Sequence, residues 1–278
     1  MPKRSLDTLP VPLYNTLRSE SLGGGWFMKI FFITLLTGFL AQMVDGTLGM
    51  AYGVSSSTLL RAMGIPSAMA SFCTHVAEVF TTLASGLSHI RMKNFSKGLF
   101  LRLLIPGMIG GILGAYVLTS VDDRVISPII SAYLIVMGFV IFLKIFSKKE
   151  RKPRQTGIGV YPLALVGGFS DSLGGGGWGP VVTSTLVATD HEIRETIGSV
   201  NAAEFFVTLA ESAAFFMTIG SELQNFYPAV AGLLAGGVVA SPLAAILCRR
   251  LPLKPLMASV GLLIIGINTW KLITALIA

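Results

Sequence analysis

The stretch from Gly168 to Pro180 reads GFSDSLGGGGWGP, and it lies within a long apolar region that runs from Gly157 to Thr189. Four successive glycines each cost about 1 kcal/mol against alanine in a helix, and Pro180 removes a backbone donor. The sequence therefore predicts that an apolar helix breaks here. At membrane depth such backbone is tolerated only where protein or a water-filled cavity covers it, so the break should face the interior.

A related stretch occurs in the first half of the chain, where Asp45 to Gly53 reads DGTLGMAYG. When the chain is aligned on itself at a separation of 126 positions, Asp45 falls on Asp171 and Glu78 on Glu204. The same separation pairs Gly49 with Gly175, Gly53 with Gly179, Tyr52 with Trp178 and Phe80 with Phe206. An ionisable group costs about 2.5 kcal/mol or more at the centre of a membrane helix, so the two acidic pairs are the strongest sign of a repeat. Internal repeats of this kind are typical of transporters.

Composition places the chain in a membrane. It contains 53% hydrophobic and 13% charged residues, whereas soluble domains carry about a quarter charged residues, and this excludes a soluble globular protein. Runs of about 20 apolar residues can cross a hydrocarbon core of about 30 Å. Full spans are predicted over residues 67–90, 99–119, 125–146, 196–219, 226–248 and 255–278. The formal charge of +7 lies in loops between spans, where it sets topology, so no nucleic-acid partner is expected.

The charged loops divide the chain into two related parts. We predict a polar leader over residues 1–28, a first membrane repeat over 29–147, a basic cytoplasmic loop over 148–156 and a second membrane repeat over 157–278. Placing the basic residues 148–154 inside favours three full spans and one re-entrant hairpin in each half. The prediction is an all-α polytopic membrane protein with two inverted repeats, each a broken or re-entrant helical hairpin followed by three transmembrane helices. The alternative that the first broken segment crosses once is open, and so is the side of the N-terminus.

The two breaks predict an anion site. Exposed N–H groups in broken backbone, together with the N-terminus of the following half-helix, attract an anion. The alternative is that the glycines only let helices pack closely. The candidate substrate-binding residues are Gly49, Tyr52, Gly53, His75, Gly175, Gly176, Gly177, Trp178, Gly179 and Asn201. Cys73 and Cys248 both lie inside apolar spans and indicate neither a disulfide nor a metal site, and no cofactor is expected.

Polar residues recur at helical spacing after each break. They are Ser71, His75, Glu78 and Thr82 in the first half, then Asn201, Glu204, Thr208 and Glu211 in the second. Steps of three and four place each set on one helix face, here called the polar stripe. A carboxyl group is costly at membrane depth when it is charged, so the candidate proton-coupling residues are Glu78, Glu204, Asp45 and Asp171. His75 is a second proton site or a cationic anchor for the anion. The alternative is that the acids cap broken backbone and His75 completes an interhelical hydrogen bond.

Together these features resemble the sulfite exporter TauE/SafE family, also described as the 4-toluene sulfonate uptake permease family. The resemblance covers about residues 29 to 278 and rests on both breaks, on Asn201-Ala202-Ala203-Glu204 and on the layout of the spans. The chain departs from the family at Met50 and at His75, which stands at an asparagine-like position. These departures leave the usual substrate of the family open for this chain.

The resemblance implies a secondary carrier in the bacterial inner membrane that moves sulfite, sulfoacetate or a related sulfonate. We expect alternating access with proton coupling, a small anion and the lipid bilayer as partners, and no enzymatic activity. A homodimer is left open. An anion channel could use the same N–H groups. An intramembrane enzyme is a further alternative, although Gly53-Val54-Ser55-Ser56 lacks the closing glycine of a serine elbow. Arg61, Arg102 and Lys271 are expected to snorkel from helix ends.

Overall fold

The computed structural model describes residues 25–48, 51–143, 146, 159–188, 193–247 and 253–277, and these residues form helices and no strand. This confirms the all-α prediction. In the first half the helices are α1 (Gly25–Leu48), α2 (Tyr52–Ala62), α3 (Ser67–Arg91), α4 (Lys97–Ser120) and α5 (Asp123–Leu143). In the second half they are α6 (Val160–Gly174), α7 (Ser184–Ala188), α8 (Ile193–Ile219), α9 (Tyr227–Leu247) and α10 (Leu253–Ile277). A π-helical turn (Gly179–Thr183) precedes α7, and a 3-10 segment (Gly220–Asn225) follows α8.

Several helices are suited to a bilayer. Within the described part of the chain, four have both the length and the apolar composition to cross it, over Lys97–Ser120, Asp123–Leu143, Glu195–Asn225 and Ala258–Ile277. Shorter apolar stretches occupy Phe27–Met43 and Tyr227–Ser241. α3 has 25 residues but carries a polar stripe, which lowers its apolar content. The described helices therefore fit a polytopic membrane protein.

Both predicted breaks are present. α6 ends at Gly174, and Gly175 follows in the left-handed conformation with a φ of 69°, which glycine adopts without the penalty of a Cβ. The chain becomes helical again at the π-helical turn. In the first half α1 ends at Leu48 and α2 begins at Tyr52. Gly49 and Met50 lie outside the described residues.

The two broken segments differ in length. α1 has 24 residues and is about 36 Å long, enough to cross a bilayer, whereas α6 has 15 residues and is about 22 Å long. α1 begins at Gly25, slightly inside the stretch assigned to the polar leader. The rest of that leader and the loop over 148–156 lie outside the described residues. The inverted orientation of the repeats stays a prediction.

The halves interlock instead of forming separate bodies. α1 packs on α9, α4 on α6 and on α8, α3 on α8 and on α9, and α5 on α10. Each of these pairs joins a helix of one half to a helix of the other. In the repeat α1 corresponds to α6 and α9 corresponds to α4, so the α1–α9 pair is the counterpart of the α6–α4 pair. A Cβ on Gly38 would overlap the backbone of Leu233, and one on Gly110 would overlap the backbone of Leu165. The α1–α9 and α4–α6 pairs are therefore in direct backbone contact, as small residues permit in membrane proteins.

Arg61 shows that one expectation was wrong. Its side chain does not snorkel, because it is only 1% exposed at the end of α2. The guanidinium donates to Ser67 Oγ, Asn268 Oδ1, Ser127 O, Ser127 Oγ and Ser131 Oγ at 2.9 to 3.2 Å. These partners satisfy a buried cation that would otherwise be costly. They also tie α2 to α5 and α10.

Candidate functional site

The two breaks touch each other. A Cβ on Gly53 would lie 2.6 Å from both Gly175 O and Gly176 Cα, closer than real Cβ atoms approach. Because those atoms belong to backbone, they cannot rotate aside. The first half-helix and the second break are therefore in direct backbone contact at these glycines, so the two broken segments meet at one place.

An aspartate caps the half-helix that follows each break. Asp45 Oδ1 accepts the N–H of Ala51 at 2.8 Å and of Tyr52 at 3.2 Å. In the second half, Asp171 Oδ1 accepts the N–H groups of Gly177 and Trp178, the latter at 3.0 Å. The four donors correspond at the 126-residue separation of the repeat. Side-chain oxygens satisfy helix N-terminal N–H groups in this way at ordinary N-caps. The proton-coupling role of both aspartates stays a prediction.

Further N–H groups at the breaks meet no backbone acceptor among the described residues, so they could face a ligand. The first backbone bond of α2 runs from Ser55 N to Ala51 O, so the N–H groups of Gly53 and Val54 precede the helical pattern. In the second half the first helical bond runs from Val181 N to Gly177 O, so the N–H group of Gly179 also precedes the helical pattern. Unused N–H groups at a helix N-terminus favour a negatively charged ligand.

A small cavity lies where the breaks meet. It is lined by Asp45, Tyr52, Gly53, Val54, Glu78, Asp171, Gly176, Gly179, Pro180 and Glu204. All four predicted proton-coupling acids line it, together with four of the predicted substrate-binding residues, Tyr52, Gly53, Gly176 and Gly179. Val54 and Pro180 were missed, although each follows a predicted glycine directly and so belongs to the same half-helix turn.

The other predicted binding residues lie outside the lining. Gly175 forms the left-handed turn, and Gly177 donates its N–H to Asp171. Trp178 is buried, and its indole N–H donates to Val200 O at 3.2 Å. Asn201 donates to Ile197 O one turn back in α8 at 2.9 Å. Gly49 lies outside the described residues.

Glu78 and Glu204 reach the cavity from two helices that pack together, α3 and α8. They are 5% and 8% exposed. The oxygen Oε2 of Glu78 is buried and meets no hydrogen-bond partner among the described residues. The backbone oxygens of both glutamates accept equivalent hydroxyl groups, from Thr82 at 2.7 Å and from Thr208 at 2.9 Å. The polar stripes of α3 and α8 therefore have the same local structure around each glutamate.

His75 belongs to a separate cluster beside the cavity. Its Nε2 lies 2.8 Å from Glu211 Oε2 and 3.6 Å from Asp171 Oδ2, and all three side chains are buried. The glutamate oxygen is off the ideal direction of an Nε2–H bond, so the two ionisable groups are in close contact without an aligned hydrogen bond. Glu211 is the last member of the second polar stripe. A carboxyl group is costly inside a membrane span, and this cost is the signal that could have identified Glu211 as a site residue.

Within the described residues, these three side chains could together offer three ligand atoms to a metal ion. Those atoms all lie within 4.8 Å of one another. Two ligands at about 2.0 Å from a tetrahedral zinc ion stand about 3.3 Å apart. The 2.8 Å between His75 Nε2 and Glu211 Oε2 is shorter. As they stand, these two atoms fit a shared proton better than a shared metal.

Comparison with known proteins agrees with this architecture. The family model described as "Sulfite exporter TauE/SafE" matches residues 34–269, a range that contains both breaks and both polar stripes. The "Probable membrane transporter protein YtnM" of Bacillus subtilis is 40% identical over 260 residues, which cover 90% of this chain and 85% of that protein. No solved structure matches the chain.

Proposed function

The chain belongs to the TauE/SafE sulfite exporter family and is a membrane transporter, and on this premise we propose that it is a secondary carrier of a small sulfur-containing or organic anion. The substrate would be sulfite, sulfoacetate or a related sulfonate. It would bind in the cavity between the two breaks and cross the bacterial inner membrane by alternating access. The basic residues 148–154 would lie on the cytoplasmic side.

The observation that carries this proposal is the convergence of both half-helix N-termini on one cavity. The N–H groups of Gly53, Val54 and Gly179 precede the hydrogen-bond patterns of their helices, and all three residues line the cavity. Anionic substrates are held by such half-helix ends in other transporter architectures. The oxygens of a sulfite or sulfonate group could accept these donors.

The carboxyl groups in the lining impose a condition on binding. One negative charge at about 5 Å from an anion opposes it by about 3 kcal/mol at an effective dielectric constant of 20. The N–H groups at each break offset the charge of Asp45 and Asp171. Within the described residues Glu78 Oε2 meets no donor, so we infer that Glu78 and its repeat counterpart Glu204 bind protons when the anion binds. A protonated Glu78 could then donate to the substrate.

Alternating access must respect the interlocked helices. The backbone contacts that join α1 to α9 and α4 to α6 resist separation. We therefore infer that the moving bodies are these pairs and not the two sequence halves. α3 and α8 pack between them and carry Glu78 and Glu204. Rocking at the α3–α8 contact would open the cavity to one side of the membrane and then to the other.

The test is uptake by the purified full-length chain in liposomes, with labelled sulfite, thiosulfate, sulfoacetate and small carboxylates supplied in turn. Wild-type protein is expected to take up a sulfur-containing anion faster when a pH gradient is imposed. Glu78→Gln and Glu204→Gln should lose this acceleration while they still exchange anion across the membrane. Glu222→Gln, in the 3-10 segment outside the cavity, is the matched control.

Two results would count against the proposal. Failure of wild-type protein to move any of the anions would reject anion transport. Unchanged acceleration in both cavity variants would reject their proton-coupling role and leave the anion site standing. A unitary conductance far above carrier turnover would instead indicate the anion channel.

A further inference from the structure

His75 and Glu211 form a contact between the halves that the cavity does not use. His75 is on α3 and Glu211 on α8, both are 0% exposed, and their closest atoms are 2.8 Å apart. Neither residue lines the cavity. The other imidazole nitrogen, Nδ1, lies 2.7 Å from the backbone oxygen of Ser71, which can only accept a hydrogen bond. The Ser71 hydroxyl donates to Ser172 O at 2.6 Å, so Nδ1 carries a hydrogen.

This arrangement requires a proton between the two side chains. With Nδ1 as the donor, a neutral imidazole would present a lone pair at Nε2, and an ionised Glu211 would present lone pairs as well. Two acceptors do not remain 2.8 Å apart in a buried place without repulsion. One proton must therefore be held by the pair, either on His75 as an imidazolium or on Glu211 as a carboxylic acid.

Asp171 connects this pair to the substrate cavity. Its oxygen Oδ2 lies 3.6 Å from His75 Nε2 and meets no hydrogen-bond partner among the described residues. Its other oxygen accepts the N–H groups of Gly177 and Trp178 at the second break. One carboxyl group thus faces the proton-holding pair on one side and fixes the start of the second half-helix on the other. A change in the charge of the pair would alter the pull on this cap.

The repeat shows that the pair is an addition to the fold and not a requirement of it. The counterparts of His75 and Glu211 at the 126-residue separation are Asn201 and Ser85. Neither asparagine nor serine exchanges a proton in the physiological range. The first half nevertheless forms its aspartate cap, from Asp45, without such a pair. In the repeat, the counterparts of the two titratable residues are therefore two residues that stay uncharged.

We propose that the His75–Glu211 pair is a proton-carrying site separate from the substrate cavity, and that Asp171 transmits its state to the second break. This rests on the anion transport proposed above. The proton would be exchanged with water when the carrier faces one side of the membrane. It would add one proton to each transport cycle beyond those bound in the cavity.

Other charged and titratable groups interact with the pair or with its neighbours and must be separated from it in any test. They are Asp171 on α6, Tyr133 on α5, Glu78 on α3, Glu204 on α8 and Asp45 on α1. Four of them line the cavity and respond to the substrate as well. The variants are therefore made in Glu211 and His75, and the ratio of protons to anions is measured in place of a rate alone.

The experiment uses the full-length chain in liposomes that contain a trapped pH dye, with labelled sulfite and labelled sulfoacetate as the probes. Glu211→Gln keeps the size of the side chain, and its amide N–H can donate to His75 Nε2, so this variant is expected to fold. The double variant His75→Asn with Glu211→Ser copies the two counterpart residues of the repeat, Asn201 and Ser85. Each should carry one proton fewer per anion than wild-type protein. Glu222→Gln should keep the wild-type ratio.

An unchanged ratio in Glu211→Gln would overturn the inference even if the double variant does not fold. In that case anion transport and the role of Glu78 would still stand, because Glu78→Gln tests them separately. Loss of wild-type proton movement after treatment with a chelator would overturn it too, since the cluster would then hold a metal. If wild-type protein moves neither probe, both this inference and the proposed function fail.

Discussion

Gly53→Ala should separate the two breaks, because Gly53 is the point where they touch. The new Cβ would lie 2.6 Å from the carbonyl oxygen of Gly175 and from the Cα of Gly176. Ordinary van der Waals contact begins at 3.4 Å, so the backbones must part by about 0.8 Å to accept it. Overpacking of this kind costs about 1–3 kcal/mol of unfolding free energy.

The same displacement should impair transport. The cavity is lined by both breaks, and a misplacement approaching 1 Å at a functional site costs about tenfold to a hundredfold in rate. The assay is the initial rate of labelled sulfite uptake into liposomes, paired with the melting temperature of the purified chain in detergent. We expect uptake to fall by about tenfold or more and the melting temperature to fall with it.

Gly266→Ala provides the matched control. Gly266 is an exposed residue of α10, and within the described part of the chain no atom lies within 4 Å of an added Cβ. Its uptake should stay within about twofold of wild type, the range of a harmless surface substitution. If Gly53→Ala also matched wild type in uptake and melting temperature, the close contact between the breaks would not be needed for function, and the reasoning would be refuted.

Three more predictions follow from the contacts of buried polar groups. Arg61→Met removes the guanidinium that joins α2 to α5 and α10 and leaves buried oxygen atoms without a donor, so it should lower the unfolding free energy by about 1–3 kcal/mol in thermal melts; exposed Arg102→Met is the control, and equal melts would contradict the reasoning. Asp171→Asn should lower the proton-to-anion ratio more than Asp45→Asn in liposomes, because the repeat counterparts of His75 and Glu211 are Asn201 and Ser85, which do not titrate in the physiological range; equal effects would count against that asymmetry. Tyr52→Phe loses a hydroxyl bond to α9 but keeps its ring at the cavity, so melts should show a loss of about 1 kcal/mol with uptake retained, and abolished uptake would assign the hydroxyl to substrate binding.

Much of the fold could be predicted because it depends on neighbouring residues. Helix ends follow from the apolar runs and from glycine, so the span predicted over 67–90 corresponds to α3 and the break at Gly174 occurs where four glycines begin. The repeat singled out Asp45, Glu78, Asp171 and Glu204 as candidate proton-coupling residues, and all four line one cavity, while their role stays a prediction. Charge at membrane depth is expensive, so the position of these acids carried information without a structure.

The site was less predictable where its details depend on partners far along the chain. Trp178 and Asn201 were chosen for their place beside a break or a glutamate, but their side chains hydrogen-bond to backbone oxygens of α8. The N–H groups of Gly177 and Trp178 were expected to face an anion, and Asp171 takes them. Arg61 was expected at the lipid boundary, and oxygens from α5 and α10 hold it inside.

The sequence by itself determined membrane residence, the helix ends, the two breaks and the repeat between them, because composition and local backbone chemistry set these features. Only the tertiary structure decided that the halves interlock, that the two breaks touch at Gly53, and that His75 faces Glu211 instead of the cavity. Those outcomes depend on which helices pack together and how they are rotated about their axes. A polar stripe shows which residues share a face, and packing alone shows what that face meets.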